Sequence, residues 1–387
     1  MKNKKNLAVV LGVASVWFGT HMGPGVASGN QVAAFYNIHS TYGLFTGIIA
    51  MSLLGLCIFY SIEYSRINKL YDFKSFANSF FKPHEKLFAT FFEITYLATV
   101  AMVLGSCIAT GAQALFQQFG LPHMLGTIIL AAITILLTIF GADLVRSAST
   151  AMTIMILVSL SIVIYVALTS DHAHFMDNWN QVSTLPETLP RVANTSIFAA
   201  AWSAILYASF QSAGNIANAI SVVEGLESRK DSIKATALGI FFNSLLIFGV
   251  VTLMYAYPDV MGHFFDPARV DKSFIPNLVI IQELGKPVLS YVYLICLILG
   301  IITTLVSFAF AVISRYSKFL PVKNTKVRDL STVILMLIVC ITVSTLGLDA
   351  IVKTGFKYLA YACIAVVIIP ILAMGRKKIK ESEEKNL

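Results

Sequence analysis

An all-α integral membrane protein with ten transmembrane helices is the fold class this sequence predicts, and three observations carry it. Hydrophobic residues make up 57% of the 387-residue chain and charged residues only 12%, whereas roughly a quarter of a soluble domain is charged. The mean hydropathy is +0.77. Apolar stretches near the ~20 residues needed to cross a bilayer core recur along the chain. Ten are read: 7 to 38, 43 to 62, 88 to 116, 124 to 142, 150 to 169, 195 to 223, 235 to 257, 287 to 313, 330 to 348 and 355 to 374.

The first span is internally anomalous. Within Trp17-Phe18-Gly19-Thr20-His21-Met22-Gly23-Pro24-Gly25-Val26-Ala27-Ser28-Gly29 stand four glycines and a proline. Glycine weakens a helix, and proline removes a donor and clashes with the carbonyl four residues back. A break is expected here. Irregular backbone at membrane depth survives only where protein or a polar cavity satisfies it, so the break is a candidate binding site. The four-residue glycine spacing also suits a close helix crossing. The start of the chain resembles a secretory signal, but its apolar run continues past Val26-Ala27-Ser28 and further spans follow, so it is read as a retained helix.

Basic residues set the orientation. With the N-terminus cytoplasmic, 22 of the 28 Lys and Arg residues fall on the inner side and six on the outer, so both termini are placed in the cytoplasm and the chain in the cytoplasmic membrane. The net charge of +8 follows from these loops. Basic loops facing anionic lipid account for it, with the bilayer as partner and no nucleic acid. The five cysteines all fall inside spans without C-x-x-C spacing and read as small buried hydrophobes.

Between spans two and three, Glu63 to Lys86 interleaves Phe73, Phe76, Phe80 and Phe81 with charges and reads as an interfacial helix. Glu93, near the inner end of span three, is expected to snorkel or to pair with a loop cation. The outer loop from Ser170 to Asn194 carries Asp171, His172, His174 and Asp177 and reads as solvated. Span six, around Tyr207-Ala208-Ser209-Phe210-Gln211-Ser212-Ala213-Gly214-Asn215, turns polar in its middle and is expected to be interrupted like span one. The apolar piece Pro276 to Gly285 is too short to cross and is expected to dip as a lid over the outer face. Residues 375 to 387 form a charged cytoplasmic tail.

The ten spans divide into two sets of five, about 7 to 169 and 195 to 374, and an odd number gives the second set the opposite orientation. Interrupted spans at equivalent positions of inverted halves point to the midplane site of a secondary transporter. Gly23, Gly25 and Ser28 then offer backbone and hydroxyl groups to a solute, faced by Tyr207, Ser209, Gln211 and Asn215. His21 is the intramembrane proton candidate, with an ordinary pKa near 6.5.

The order Gly19-x-x-x-Gly23-Pro24-Gly25, with ten spans and a broken sixth, resembles the LeuT-fold transporters of the amino acid, polyamine and organocation superfamily. More closely, Gly23-Pro24-Gly25-Val26-Ala27-Ser28-Gly29-Asn30-Gln31 is similar to the Gly-Ala-Gly-Phe-Ala-Ser-Gly-Gln-Glu signature of the YkvI-like membrane proteins. Tyr207-Ala208-Ser209-Phe210-Gln211 resembles their Tyr-x-Ser-aromatic-amide stretch. Gln31 stands where that family has glutamate. The resemblance implies a 5+5 inverted repeat with helices 1 and 6 broken. It also implies a Na⁺ site from the carbonyls of Gly19, Met22 and Gly300 and the hydroxyls of Thr303 and Thr304. Neutral oxygens are hard ligands suited to that ion, and positions 300, 303 and 304 share a helix face.

The function expected is Na⁺- or H⁺-coupled symport of a small polar solute, such as an amino acid or related amine, without a cofactor. The alternatives are a sensor or scaffold on a transporter fold, and a membrane enzyme. The last lacks any H-E-x-x-H, aspartate-rich or G-x-S-x-G motif. The residues leave oligomeric state open.

Overall fold

The computed structural model describes residues 2–140, 142–170, 175–180, 196–266, 268–269, 271 and 273–385. Every regular element among them is helical. Six helices are long and apolar enough to cross a membrane: Asn37–Asn68, Glu85–Phe119, Arg229–Tyr255, Pro287–Phe319, Thr325–Ser344 and Leu348–Lys385. Leu7–His21, His123–Thr138 and Leu157–Ser170 are shorter apolar helices. The chain is a multi-pass integral membrane protein.

The first span is broken twice. Helix α1 (Lys2–His21) stops before Gly23, and α2 (Pro24–Ala27) restarts with Pro24 at its first position, where a missing N–H costs nothing. Gly29 then sits in the left-handed region at φ 87° before α3 (Asn30–Phe35) begins. A Cβ there would be strained and would lie 2.3 Å from the Met254 side chain and 2.7 Å from Asn277 Oδ1. After a further kink at Ser40, α4 (Gly43–Asn68) crosses back.

Sequence and structure part at the sixth span. Helix α9 (Ile197–Ile220) follows α5 (Phe73–Phe80), α6 (Glu85–Phe119), α7 (His123–Phe140) and α8 (Ala142–Ser170), and it is wound without interruption over 24 residues. The expected break in helix 6 is therefore corrected. No proline falls in it, and its polar side chains turn back onto their own helix. Ser209 donates to Ile205 O, Ser212 to Ser209 O and Asn215 to Gln211 O, at 2.6, 2.6 and 2.8 Å. Such back-bonds satisfy the side chains inside the helix without opening it.

The second half continues with α10 (Arg229–Tyr255), started by a reciprocal cap between Ser228 and Asp231. Next come α11 (Pro258–Phe265), α12 (Pro276–Glu283), α13 (Pro287–Tyr316) and α14 (Thr325–Ser344). The rod α15 (Leu348–Lys385) is wound through two π-helical turns. Two groups of helices result: α1, α4, α9 and α10 pack on one another, while α13 packs against α6, α7, α8 and α14. The break lies between them, since α2 touches α6 and α13 of the second group while α3 touches α9 and α10 of the first.

Inner-side expectations are refined by packing. Asp72 caps α5 by accepting from Ser75 N, but Phe73, Phe76, Phe80 and Phe81 are buried in protein and do not lie on lipid. Phe73 stacks on Phe92 and Phe80 meets Tyr64 edge-on. Glu93 pairs with Arg315 at 3.0 Å and accepts from the Tyr316 hydroxyl. The charged tail is helical as far as Lys385 and lies on α4, Ser382 accepting from Asn68 at 3.0 Å. All five cysteines are buried and free. Of the outer loop 170–194, residues 171–174 and 181–194, with His172 and His174, lie outside the described residues.

Candidate functional site

The break frees backbone carbonyls, and side chains from distant parts of the chain capture them. Ala27 O accepts from Asn277 Nδ2 at 2.8 Å and from the Tyr293 hydroxyl, while Ser28 O accepts from the Asn277 backbone N–H at 3.2 Å. Phe35 O accepts from Ser203 Oγ and Ser40 O from the Tyr255 hydroxyl, and in the reverse sense Asn37 Nδ2 donates to Val251 O of α10. At membrane depth an unpaired carbonyl is costly, so these contacts hold the irregular segment in one shape.

Beside it runs a buried polar chain drawn from four elements. His21 Nδ1 meets Asn243 Oδ1 at 2.6 Å and His21 Nε2 meets the Tyr207 hydroxyl at 2.8 Å. Asn243 donates to Gly239 O, so its amide oxygen faces His21. That makes Nδ1 the protonated nitrogen of the neutral ring and Nε2 an acceptor for Tyr207. Gln211 Nε2 reaches the Tyr207 hydroxyl at 3.4 Å and Gln31 Oε1 at 3.1 Å. Asn215 Nδ2 reaches Gln211 Oε1 at 3.2 Å. Gly25 makes room for this arrangement, because a Cβ there would fall 2.0 Å from Gln31 Nε2.

Of the residues singled out in the sequence, His21, Tyr207, Gln211 and Asn215 come together. Gly23 caps α2 and Gly25 underlies Gln31. Ser28 turns to Gly25 O and Asn30, and Ser209 to its own helix. Thr303 and Thr304 both donate to Gly300 O, at 3.0 and 2.8 Å, and among the described hydrogen bonds none joins them to Gly19 or Met22. Asn243, Asn277 and Tyr293 are the partners that reading by motif missed, while Gln31, which closes the motif, was given no contact there. Asn243 carried a signal, a lone amide in an otherwise apolar span, where polar side chains mark interhelical contacts.

Several buried oxygens near the break have no hydrogen-bond partner: Asn30 Oδ1, Asn277 Oδ1, Asn215 Oδ1 and the Tyr36 hydroxyl. Buried polar groups are ordinarily paired, so these are open acceptors for a polar guest. No group of three or more His, Cys, Asp or Glu able to hold a metal occurs among the described residues.

One side of the break is covered. Helix α12 buries Pro276, Asn277, Leu278, Ile280 and Ile281, and its flank is clamped to the start of α15. Arg269, with a side chain only 3% exposed, pairs with Asp349 and, at 3.3 Å, with Asp271. Its guanidinium lies 5.8 and 5.1 Å from the ring centres of Phe264 and Phe274. Lys353 joins the clamp through Asp349 Oδ2 and Phe264 O, both at 2.8 Å.

No protein-family model matches the sequence. No curated protein matches it either. Solved structures do. A manganese transporter of Eremococcus coleocola, in complex with an aromatic bis-isothiourea substituted compound, shares 15% identity over 97% of this chain and 84% of that one, with a TM-score of 0.62. MhsT in complex with L-phenylalanine shares 12% identity over 97% and 98%, with a TM-score of 0.63. A Na⁺-coupled sialic acid symporter shares 13% over 90% and 74%, with a TM-score of 0.56. At such identities the likeness speaks to architecture, and the architecture is that of the LeuT fold.

Proposed function

We propose that this chain is a secondary transporter that moves a small, uncharged or zwitterionic polar solute by alternating access, with a cation as driving ion. One observation carries the reading: a helix broken at membrane depth beside a buried chain of neutral polar groups, with unpaired amide oxygens around it. Two solved neighbours, named as a manganese transporter and a sialic acid symporter, support it. The topology proposed with it is ten spans in two inverted halves, both termini cytoplasmic, in the cytoplasmic membrane. The resemblance to YkvI-like proteins stands as part of the same proposal.

The unbroken α9 changes how the site works. Bare peptide dipoles come from the first span alone, from Gly23, Gly25 and the turn at Ser28. The sixth span contributes side chains, Tyr207, Gln211 and Asn215, with Ser209 held in reserve against Ile205 O. No carboxylate or lysine belongs to this chain of contacts, which suits a solute without net charge. In the conformation described, α12 and the Arg269 clamp cover the outer route, so solute entry from outside requires that they lift.

For the ion we propose Na⁺ held by the carbonyls of Gly19, Met22 and Gly300 and the hydroxyl oxygens of Thr303 and Thr304. Each threonine hydroxyl donates to a carbonyl and keeps lone pairs for a cation. His21, at the junction of three helices, is the alternative carrier of a proton. One charge moving inward gains about 2.3 kcal/mol per 100 mV, enough for about 40-fold accumulation.

The test is uptake of radiolabelled amino acids into proteoliposomes with and without inward Na⁺ and H⁺ gradients. Gradient-driven uptake of at least one solute is expected, with at least a tenfold loss in Q211L. The double variant T303V/T304V is expected to abolish Na⁺ dependence, and H21Q to alter the pH profile. Binding without uptake in sealed vesicles would replace transport by sensing.

A further inference from the structure

Between α6, α13 and α14 lies a cavity of about 320 Å³, and none of its lining belongs to the break or to the polar chain around His21. Its floor is made by buried Val100, Met336 and Cys340. At its rim, Leu97, Leu335 and Val339 are 44, 52 and 52% exposed. On spanning helices such side chains face hydrocarbon, so the cavity opens sideways to lipid. The two hydroxyls in its wall are already engaged, Tyr316 with Glu93 and Thr332 with Arg328 O at 2.9 Å. The wall therefore behaves as apolar, and the size falls at the lower end of ligand sites.

One end is basic. The Lys318 ammonium stands 5.6 Å from the ring centre of Phe319, which lines the cavity. Arg328 lies one turn before Thr332, and its Nε is buried without a hydrogen bond, the Asp329 carboxylate standing 4.0 Å away. Residues 317–328, the linker and the first turn of α14, also carry Lys323 and Lys326 and have no acidic residue, Asp329 following directly. Arg315 is neutralised by Glu93.

The geometry points to a binding site for an anionic diacyl phospholipid, one acyl chain in the cavity and the phosphate between Lys318 and Arg328. The apolar wall takes the chain, and the guanidinium nitrogen, which has no hydrogen bond and only a loose ion pair with Asp329, takes an anionic acceptor. Basic pockets between membrane helices bind acidic headgroups by this combination. A second copy of the chain is disfavoured, since it would bring the same four cations to the same edge.

Native mass spectrometry of the delipidated full chain, titrated with dioleoyl phosphatidylglycerol or dioleoyl phosphatidylethanolamine, tests the assignment. Phosphatidylglycerol is expected to bind at least tenfold more tightly. K318Q/R328Q is expected to weaken it about thirty-fold, at about tenfold per 1.4 kcal/mol and ~1 kcal/mol per cation. A101F, which fills the cavity, is expected to weaken both lipids, with the thermal unfolding temperature in detergent showing that each variant is folded. Equal binding of the two lipids, unchanged phosphatidylglycerol binding in the folded double variant or in A101F, or a dimer mass in place of a lipid adduct would overturn it.

Discussion

The first and sixth spans both place small and polar residues at mid-length, yet one breaks and the other does not. Polarity is shared; what differs is who answers for the backbone. In the first span Pro24 withdraws a donor and Gly29 takes a left-handed turn, and the freed carbonyls find Asn277, Tyr293 and Ser203 from other helices. In mid-α9 Ser209, Ser212 and Asn215 bond back to carbonyls three and four residues earlier, and these side chains require no distant group. A break at membrane depth therefore needs a helix-breaking residue together with external partners. Polar side chains alone are absorbed by the helix.

The largest test of that contrast is at Gly29. G29A is expected to destabilise by about 2–5 kcal/mol, read as reversible unfolding in mixed micelles, because an L-residue there pays for the left-handed turn and for contact with Met254 and Asn277. Little change would mean that the turn is relaxed. Removing both captors of the Ala27 carbonyl, in N277L/Y293F, is expected to cost about 3 kcal/mol for a buried acceptor left alone. S209A/S212A, the matching change in α9, is expected to stay within about 1 kcal/mol, since it orphans nothing. A cost as large as that of N277L/Y293F would erase the distinction.

Asp349 carries the comparison to the cover over the break. D349N leaves the buried Arg269 with Asp271 alone, and a loss of about 1–3 kcal/mol is expected, seen as faster hydrogen exchange in 258–283. Unchanged exchange there would show that α12 is held by Asn277 without the clamp. The smallest effect is at Gly214, which has open space where a Cβ would go. G214A is expected to stabilise by about 0.5–1 kcal/mol and to preserve uptake. A loss of uptake would mean that α9 must open there during the transport cycle.

Much of the architecture was legible because membrane helices announce themselves by length and apolarity, and the first break because Pro24 and Gly29 act locally. The sixth span was misread because a run of Ser, Gln and Asn does not say whether each side chain points outward or folds back. Thr303 and Thr304 illustrate the same ambiguity: their shared face follows from spacing, but their donation to Gly300 O does not. Asn277 and Ala27 stand 250 positions apart, so only the folded chain reveals that they meet. Likewise the aromatic run from Phe73 to Phe81 looked like a membrane-surface helix until its neighbours Tyr64 and Phe92 were in place.

The buried thiols have a practical corollary. A membrane-impermeant maleimide finds all five native cysteines shielded, so the wild-type chain is expected to supply its own silent background. A single cysteine placed at Ser28 or Asn215 then becomes a clock: the side from which it is first alkylated, and how fast, reports which mouth of the protein unseals.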